Sequence, residues 1–358
     1  MPQFKTGKVE RVLQERIGLQ RVEVLLDGYA ERAYVLTQLT GRVDVGDSVV
    51  VNTTAVDLGL GTGGWHVVHW NLARDQWSEV GPGHIMKARY TSLQTDTGSA
   101  EEHWAELADI TSIDGMPVVA AALHSQVPAV AVAFKQHAPD ARLAYVMTDG
   151  AALPLALSDL VAALCERDLI DATITCGHAF GGDHEAVSVY SALAVARHIV
   201  HADATIVAMG PGIVGTASRL GFSGIEVGPV LDAAIGLGGL PIACLRVSFA
   251  DPRPRHHGLS HHSSTALSIA TRGRARIPVP CVGGDEERVL RADLANAGLT
   301  DRHEIVDVAP VGIIDLLAQH DLAVVSMGRP AADDPVLFEA AAAAGVVAAT
   351  NITGSGIA

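Results

Sequence analysis

The sequence predicts an α/β protein: a mostly parallel, doubly wound, three-layer sheet preceded by a small N-terminal β-barrel. Three observations predict it. Residues 1–90 hold short, partly alternating apolar segments rich in Val, Thr, Tyr and Trp, separated by turn residues. From residue 115 to 358, near-continuous apolar runs alternate with longer helical stretches, the pattern of parallel strands covered by helices on both faces. Polar residues gather after those runs and rarely before them. Residues 91–114, with acidic "SAEEHWAELAD", read as a linker.

In the first part the strand segments are "KVERVLQER", "LQRVEVLLDG", "ERAYVLTQL", "DSVVVNTTA" and "GWHVVHWNL". Asp27-Gly28, Gly46-Asp47 and the run "GLGTGG" at 59–64 supply the turns between them. Strands at this spacing suit a small antiparallel barrel or sandwich.

In the second part, strands are expected at 117–123, 142–148, 172–177, 204–210, 241–247, 277–282, 304–309 and 322–328. Helices are expected at 153–167, 184–201, 285–297, 310–319 and 333–344. Asp183 is placed to cap the helix at 184–201, with Glu185 in its first turn and His198 and His201 in its last. Eight such units also permit a closed eight-stranded barrel. Irregular spacing between strand starts and the short last units favour the open sheet.

The chain's 358 residues are enough for two domains. Its mean hydropathy of +0.28 comes largely from Ala and Val, as tight packing of helices on a sheet requires. No uncharged apolar run reaches about 18 residues, so no membrane span is read. The N-terminus has no apolar stretch of secretory type, and the expected location is cytoplasmic. Cys165, Cys176, Cys244 and Cys281 are far apart, without CxxC spacing, and read as buried free thiols. The net charge of −15 repels phosphate backbones and anionic lipid, which argues against nucleic-acid and membrane partners. The apolar composition leads to the expectation of a homo-oligomer.

Ligands of open parallel sheets bind beyond the carboxyl ends of the strands. After the expected strands come His124-Ser125-Gln126, Asp149-Gly150, "HAFGGDHE" (178–185), "PGIVGTASR" (211–219), "SFADPRPRHHGLSHHSST" (248–265) and "RPAADDP" (329–335). Four of the sixteen histidines fall within seven positions, 256–262. The candidate catalytic residues are His124, Asp149, His178 and His184. Imidazole and carboxylate ligands drawn from several elements suit a divalent cation. His178, Asp183, His184, His261 and His262 are the candidates to hold one, to polarise an oxygen or activate water. Metal-free polar roles, or solvated and structural histidines, remain open: adjacent His pairs diverge, and no HExxH is present.

"GPGIVG" matches G-x-G-x-x-G after a strand. Pro211 and Ile213-Val214 fill its variable positions, Gly221 and Gly224 break the helix that should follow, and Asp232 falls inside a helix rather than at a second strand's end. Gly210, Gly212 and Gly215 with Thr216, Ser218 and Arg219 read instead as a cradle for a phosphate or carboxylate, or as a plain turn. Neither Ser125 nor Ser260 sits in G-x-S-x-G.

The blocks "VVVNTTAVDLGLGTGGWHVV", "GHIMKARYTSLQ", "AYVMTDGAALP", "HAFGGDHEAVSVYSAL", "GPGIVGTASRLGFSG" and "HHGLSHHSSTAL" together resemble an uncharacterised bacterial protein family, a domain of unknown function of about this length. The likeness runs from about residue 5 to 350. It implies a bacterial cytoplasmic protein and transfers no catalytic residue. The functional expectation is an enzyme acting on a small polar or anionic metabolite by metal-assisted hydrolysis or group transfer. Its rival is a non-catalytic metabolite-binding or regulatory protein.

Overall fold

The computed structural model describes residues 1–60 and 63–353. Gly61 and Thr62 of the loop expected at 59–64 lie outside the described residues. By packing, the chain divides into two units, Met1–Gly98 and Ser99–Ala358. Part of the segment read as a linker, from Ser99 onward, therefore belongs to the second unit.

The first unit is a closed five-stranded barrel: β1 (Phe4–Arg16), β2 (Leu19–Leu26), β3 (Tyr29–Leu36), β4 (Ser48–Asn52) and β5 (His66–Asn71), in the order β1-β2-β3-β5-β4. β1 pairs with β4 to close it, and the β3–β5 contact is parallel. The alternation seen in the sequence puts Val22, Val24, Ala33, Val35, Val49 and Val51 inside, all fully buried. Asp27 and Gly28 join β2 to β3 with φ of 53° and 88°, the two positive angles that a tight hairpin turn demands. At Gly7 a Cβ would lie 2.5 Å from the Leu26 side chain, so only glycine lets β1 cross so closely.

The main sheet of the second unit has eight strands, all parallel: β6 (Pro117–Ala121), β7 (Leu143–Thr148), β8 (Ala172–Cys176), β9 (His184–Ala186), β10 (Ala204–Met209), β11 (Leu240–Cys244), β12 (Arg276–Pro280) and β13 (Glu304–Val308). Their order is β9-β8-β7-β10-β6-β11-β12-β13. Residues on β6, β7, β8 and β10 are buried throughout, which is why they read as continuous apolar runs. One face carries α1 (Val127–His137), α2 (Asp159–Glu166), α7 (Ile313–Gln319) and α8 (Pro335–Thr353). The other carries α3 (Val189–His198), α4 (Val227–Gly236), α5 (His261–Thr265) and α6 (Gly284–Asn296). The sheet is open, which removes the closed eight-stranded alternative.

Two expected elements change. Residues 322–328 do not join the sheet; Val325–Ser326 pairs only with Arg329–Pro330. The eighth strand is β9, at the start of the expected helix 184–201. That helix begins at Val189 and is capped by Ser188, whose hydroxyl accepts from Ser191 N. Asp183 is no cap: its Oδ2 accepts from both Thr173 N and Thr173 Oγ1 at 2.8 Å, tying the edge strand to β8.

α8 is long and apolar enough to cross a membrane, but most of it is buried inside this unit. Gly345 lets it pass α1 closely, since a Cβ there would lie 2.3 Å from Val130 O. Its one charged residue, Glu339, accepts from Val311 N at 3.1 Å and Ile313 N at 2.9 Å, capping α7.

Candidate functional site

The chain leaves β6 in one direction across the sheet and leaves β10 in the other. The carboxyl ends of these neighbours are therefore the reversal point at which open α/β sheets bind ligands. β11 lies on the far side of β6, so the loops after β10 and β11 meet there. Together they enclose a cavity of about 210 Å³ lined by Gly215, Thr216, Arg246, Arg253, His256 and His262, with Arg255 among its walls.

The loop after β11 is tied by a two-residue ladder, Val247–Ser248 against Gly258–Leu259. Inside the hairpin, buried Asp251 takes a two-pronged contact from Arg253, at 2.9 Å from Nε and 2.7 Å from Nη2. Arg246 and Arg329 each approach the same carboxylate to 3.7 Å. Arg329 also reaches Asp334 at 3.1 Å, and Asp334 accepts from Ser248 Oγ at 2.6 Å. The Arg253 hydrogen bond holds the Asp251 carboxyl far below the usual carboxylate range. Burial, followed by nearby Arg253, lowers the Arg246 guanidinium to about 10, so it stays cationic at neutral pH.

The histidines are set by their neighbours. Ser260 caps α5: its buried hydroxyl accepts from His262 N at 3.2 Å and lies 2.7 Å from His256 Nδ1. A buried hydroxyl proton needs an acceptor, and His256 Nδ1 is the one beside it. Arg246 Nη1, which can only donate, lies 3.1 Å from His262 Nδ1. In both rings Nδ1 is thus the acceptor and Nε2 carries the hydrogen. Burial, then Arg246, pushes both imidazoles down to about 3, so both are neutral at pH 7. Burial, then Arg255, lowers His261 as well. His261 Nε2 and Arg329 Nε are buried with no hydrogen-bond partner.

His256, His261 and His262 each bring one ring nitrogen within 4.8 Å of the others, the one such group among the described residues. The spacing would allow a metal ion, but the chemistry around it favours an anion. Two of its rings present N–H rather than a lone pair, no carboxylate joins it, and guanidinium groups surround it. It fits an anion.

The other sequence-selected residues lie elsewhere. His124 is half-buried and hydrogen-bonded at both nitrogens: Nε2 lies 2.7 Å from the hydroxyl of Ser158, which caps α2, and Nδ1 lies 3.3 Å from Met209 O. Burial drops it to about 4. Asp149 Oδ2 accepts from His178 N at 2.9 Å and packs on Gly177, holding two adjacent turns together. His184 sits on edge strand β9 and packs edge-on against Trp104, with centroids 5.3 Å apart. Five strand positions separate β9 from β11, or roughly 24 Å at the usual spacing. Asp183 and His184 therefore do not join His261 and His262, and neither does His178 at the end of β8. Gly182 serves packing, since a Cβ there would lie 2.9 Å from Thr175 N.

Within 210–219, Gly215 and Thr216 reach the cavity. Ser218 and exposed Arg219 do not line it: Ser218 Oγ accepts from Gly221 N at 3.0 Å within its own turn. Gly210 is buried where β10 ends, and Gly212 turns with φ of 105°. No helix follows Gly215; α4 starts at Val227, so the dinucleotide reading fails.

Sequence reasoning missed Arg246, Arg253 and Asp251. It also missed Glu226, whose carboxyl accepts from Thr148 Oγ1 at 2.6 Å. Burial, then nearby Asp149, raises it to about 7. Gly150 makes room for it, because a Cβ there would lie 2.6 Å from Glu226 Oε2. A basic residue just past a strand end, as Arg246 is, was the one available signal.

A three-layer α/β unit with a basic, histidine-lined cavity at the strand reversal defines the class of protein. The chain belongs to the family described as "Protein of unknown function (DUF3866)", whose model matches residues 32–345. No curated protein matches the chain.

Proposed function

We propose that the chain binds a small anionic metabolite in the cavity after β11 and carries out hydrolysis or group transfer on it. The observation that carries this reading is the pair of neutral imidazoles, His256 and His262, whose Nε2–H groups are fixed by Ser260 and Arg246 beside two further guanidinium groups. Donors held in place before reaction stabilise the negative charge that develops on an acyl or phosphoryl oxygen. Arg246 supplies the positive charge first assigned to a metal ion. At about 210 Å³ the cavity is below the roughly 300–1,000 Å³ of sites for drug-sized ligands, which favours a compact substrate. A homo-oligomeric state, suggested by the apolar composition, completes the proposal.

Turnover of a panel of small anionic esters and anhydrides tests it. Activity on an anionic member, lost in His262→Ala and kept in His184→Ala, supports the reading. Binding without turnover of any member favours the non-catalytic rival. Binding of neutral and anionic compounds alike contradicts both.

A further inference from the structure

The charges around the cavity do not balance. Arg246, Arg253 and Arg329 face Asp251 and Asp334, an excess of one positive charge, and Arg255 adds a solvent-exposed guanidinium at the cavity wall. The histidines among them are neutral, so they cancel nothing. This excess sits in a chain whose net charge is −15, and buried charge without a counter-charge is destabilising. Two buried polar atoms of the same network, His261 Nε2 and Arg329 Nε, also lack partners.

We infer that the group seated here is a dianionic tetrahedral oxyanion, the phosphoryl group of a phosphate monoester. The inference rests on the anion-binding reading and narrows it. A phosphate monoester carries about −1.5 to −2 near pH 7, enough for the buried excess and for solvent-exposed Arg255 together. The donors come from separate segments: Arg246 just past β11, Arg253 and His256 in the hairpin, and His262 on α5. Donors arriving from several directions match an acceptor with oxygens pointing several ways. A planar carboxylate presents two oxygens in one plane, suited to a single guanidinium fork. The ester's organic part leaves past exposed Val214 and Arg255, where the wall opens to solvent.

Isothermal titration of the full chain with inorganic phosphate, glycerol phosphate, acetate and malonate tests this. Phosphate and glycerol phosphate are expected to bind at least about tenfold tighter than acetate or malonate, the worth of one charge-assisted hydrogen bond. Arg246→Met is expected to abolish phosphate binding. Because it also strips a partner from buried Asp251, solvent-facing Arg255→Ala serves as a folded control, weakening phosphate by roughly threefold to tenfold. Acetate or malonate binding as tightly as phosphate overturns the phosphoryl assignment and leaves the anion reading standing. No binding of any of the four at millimolar concentration overturns both. Phosphate affinity unchanged in Arg255→Ala places the anion elsewhere and overturns the assignment.

Discussion

The ring of Phe222 lies flat on that of His262, with centroids 3.9 Å apart and planes within 4°. The contact joins the loop after β10 to the first turn of α5, so one side of the cavity is held against the other. Phe222 is buried. Phe222→Ala should cost about 3 kcal/mol, the low end for a buried phenylalanine because a loop can partly collapse, and should weaken anion binding. Urea denaturation checks the first effect; a loss below about 1 kcal/mol would mean that the stack holds nothing together.

Ser260 has two tasks, capping α5 and fixing the tautomer of His256. Ser260→Ala loses the cap, worth about 1 kcal/mol, and leaves a buried ring nitrogen unsatisfied at a further cost of about 1–3 kcal/mol. Nitrogen-detected NMR of the imidazoles reads the second task directly. In the wild type His256 should carry its hydrogen on Nε2; in the variant the Nδ1–H form should appear.

Stability should respond to pH with opposite signs at two places. Glu226 is raised to about 7 in the folded chain from 4.5, so its contribution is present below 4.5 and lost as pH rises through 7. His256 and His262 are lowered to about 3 from 6.5, so theirs is present above 6.5 and lost as pH falls toward 3. Denaturation midpoints measured across this range should show Glu226→Gln flattening the alkaline limb alone. His262→Gln should flatten the acid limb alone.

Glu339 is the charged residue of the core helix α8, and its carboxylate accepts the N–H groups of Val311 and Ile313. Glu339→Ala should lower stability by about 1–3 kcal/mol by leaving these groups without an acceptor. Thermal melts check it. An unchanged melting temperature would mean that water takes the carboxylate's place.

Local pattern carried the barrel and most of the sheet. Alternation around Val22, Val24 and Val35 marked half-buried strands, and runs such as Leu143–Thr148 marked strands covered on both faces. Strand order was not legible, because it is set by which crossovers pack on which face. The histidines at 178 and 184 therefore looked like partners of those at 261 and 262, though β9 is the edge strand and β11 lies five positions away. The cluster of His256, His261 and His262 was legible as a cluster because its members are neighbours in the chain. The proposed fit to an anion was not, since Arg246 meets His262 only through the fold.

The central claim is that the cavity after β11 holds an anion between guanidinium and neutral imidazole donors. Anomalous diffraction from crystals soaked in tungstate, a heavy tetrahedral dianion, tests it most directly. One strong site is expected within hydrogen-bond reach of Arg253 and of Nε2 on His256 and His262. A cavity free of tungsten density, with the ion bound at other basic residues or nowhere, would contradict it.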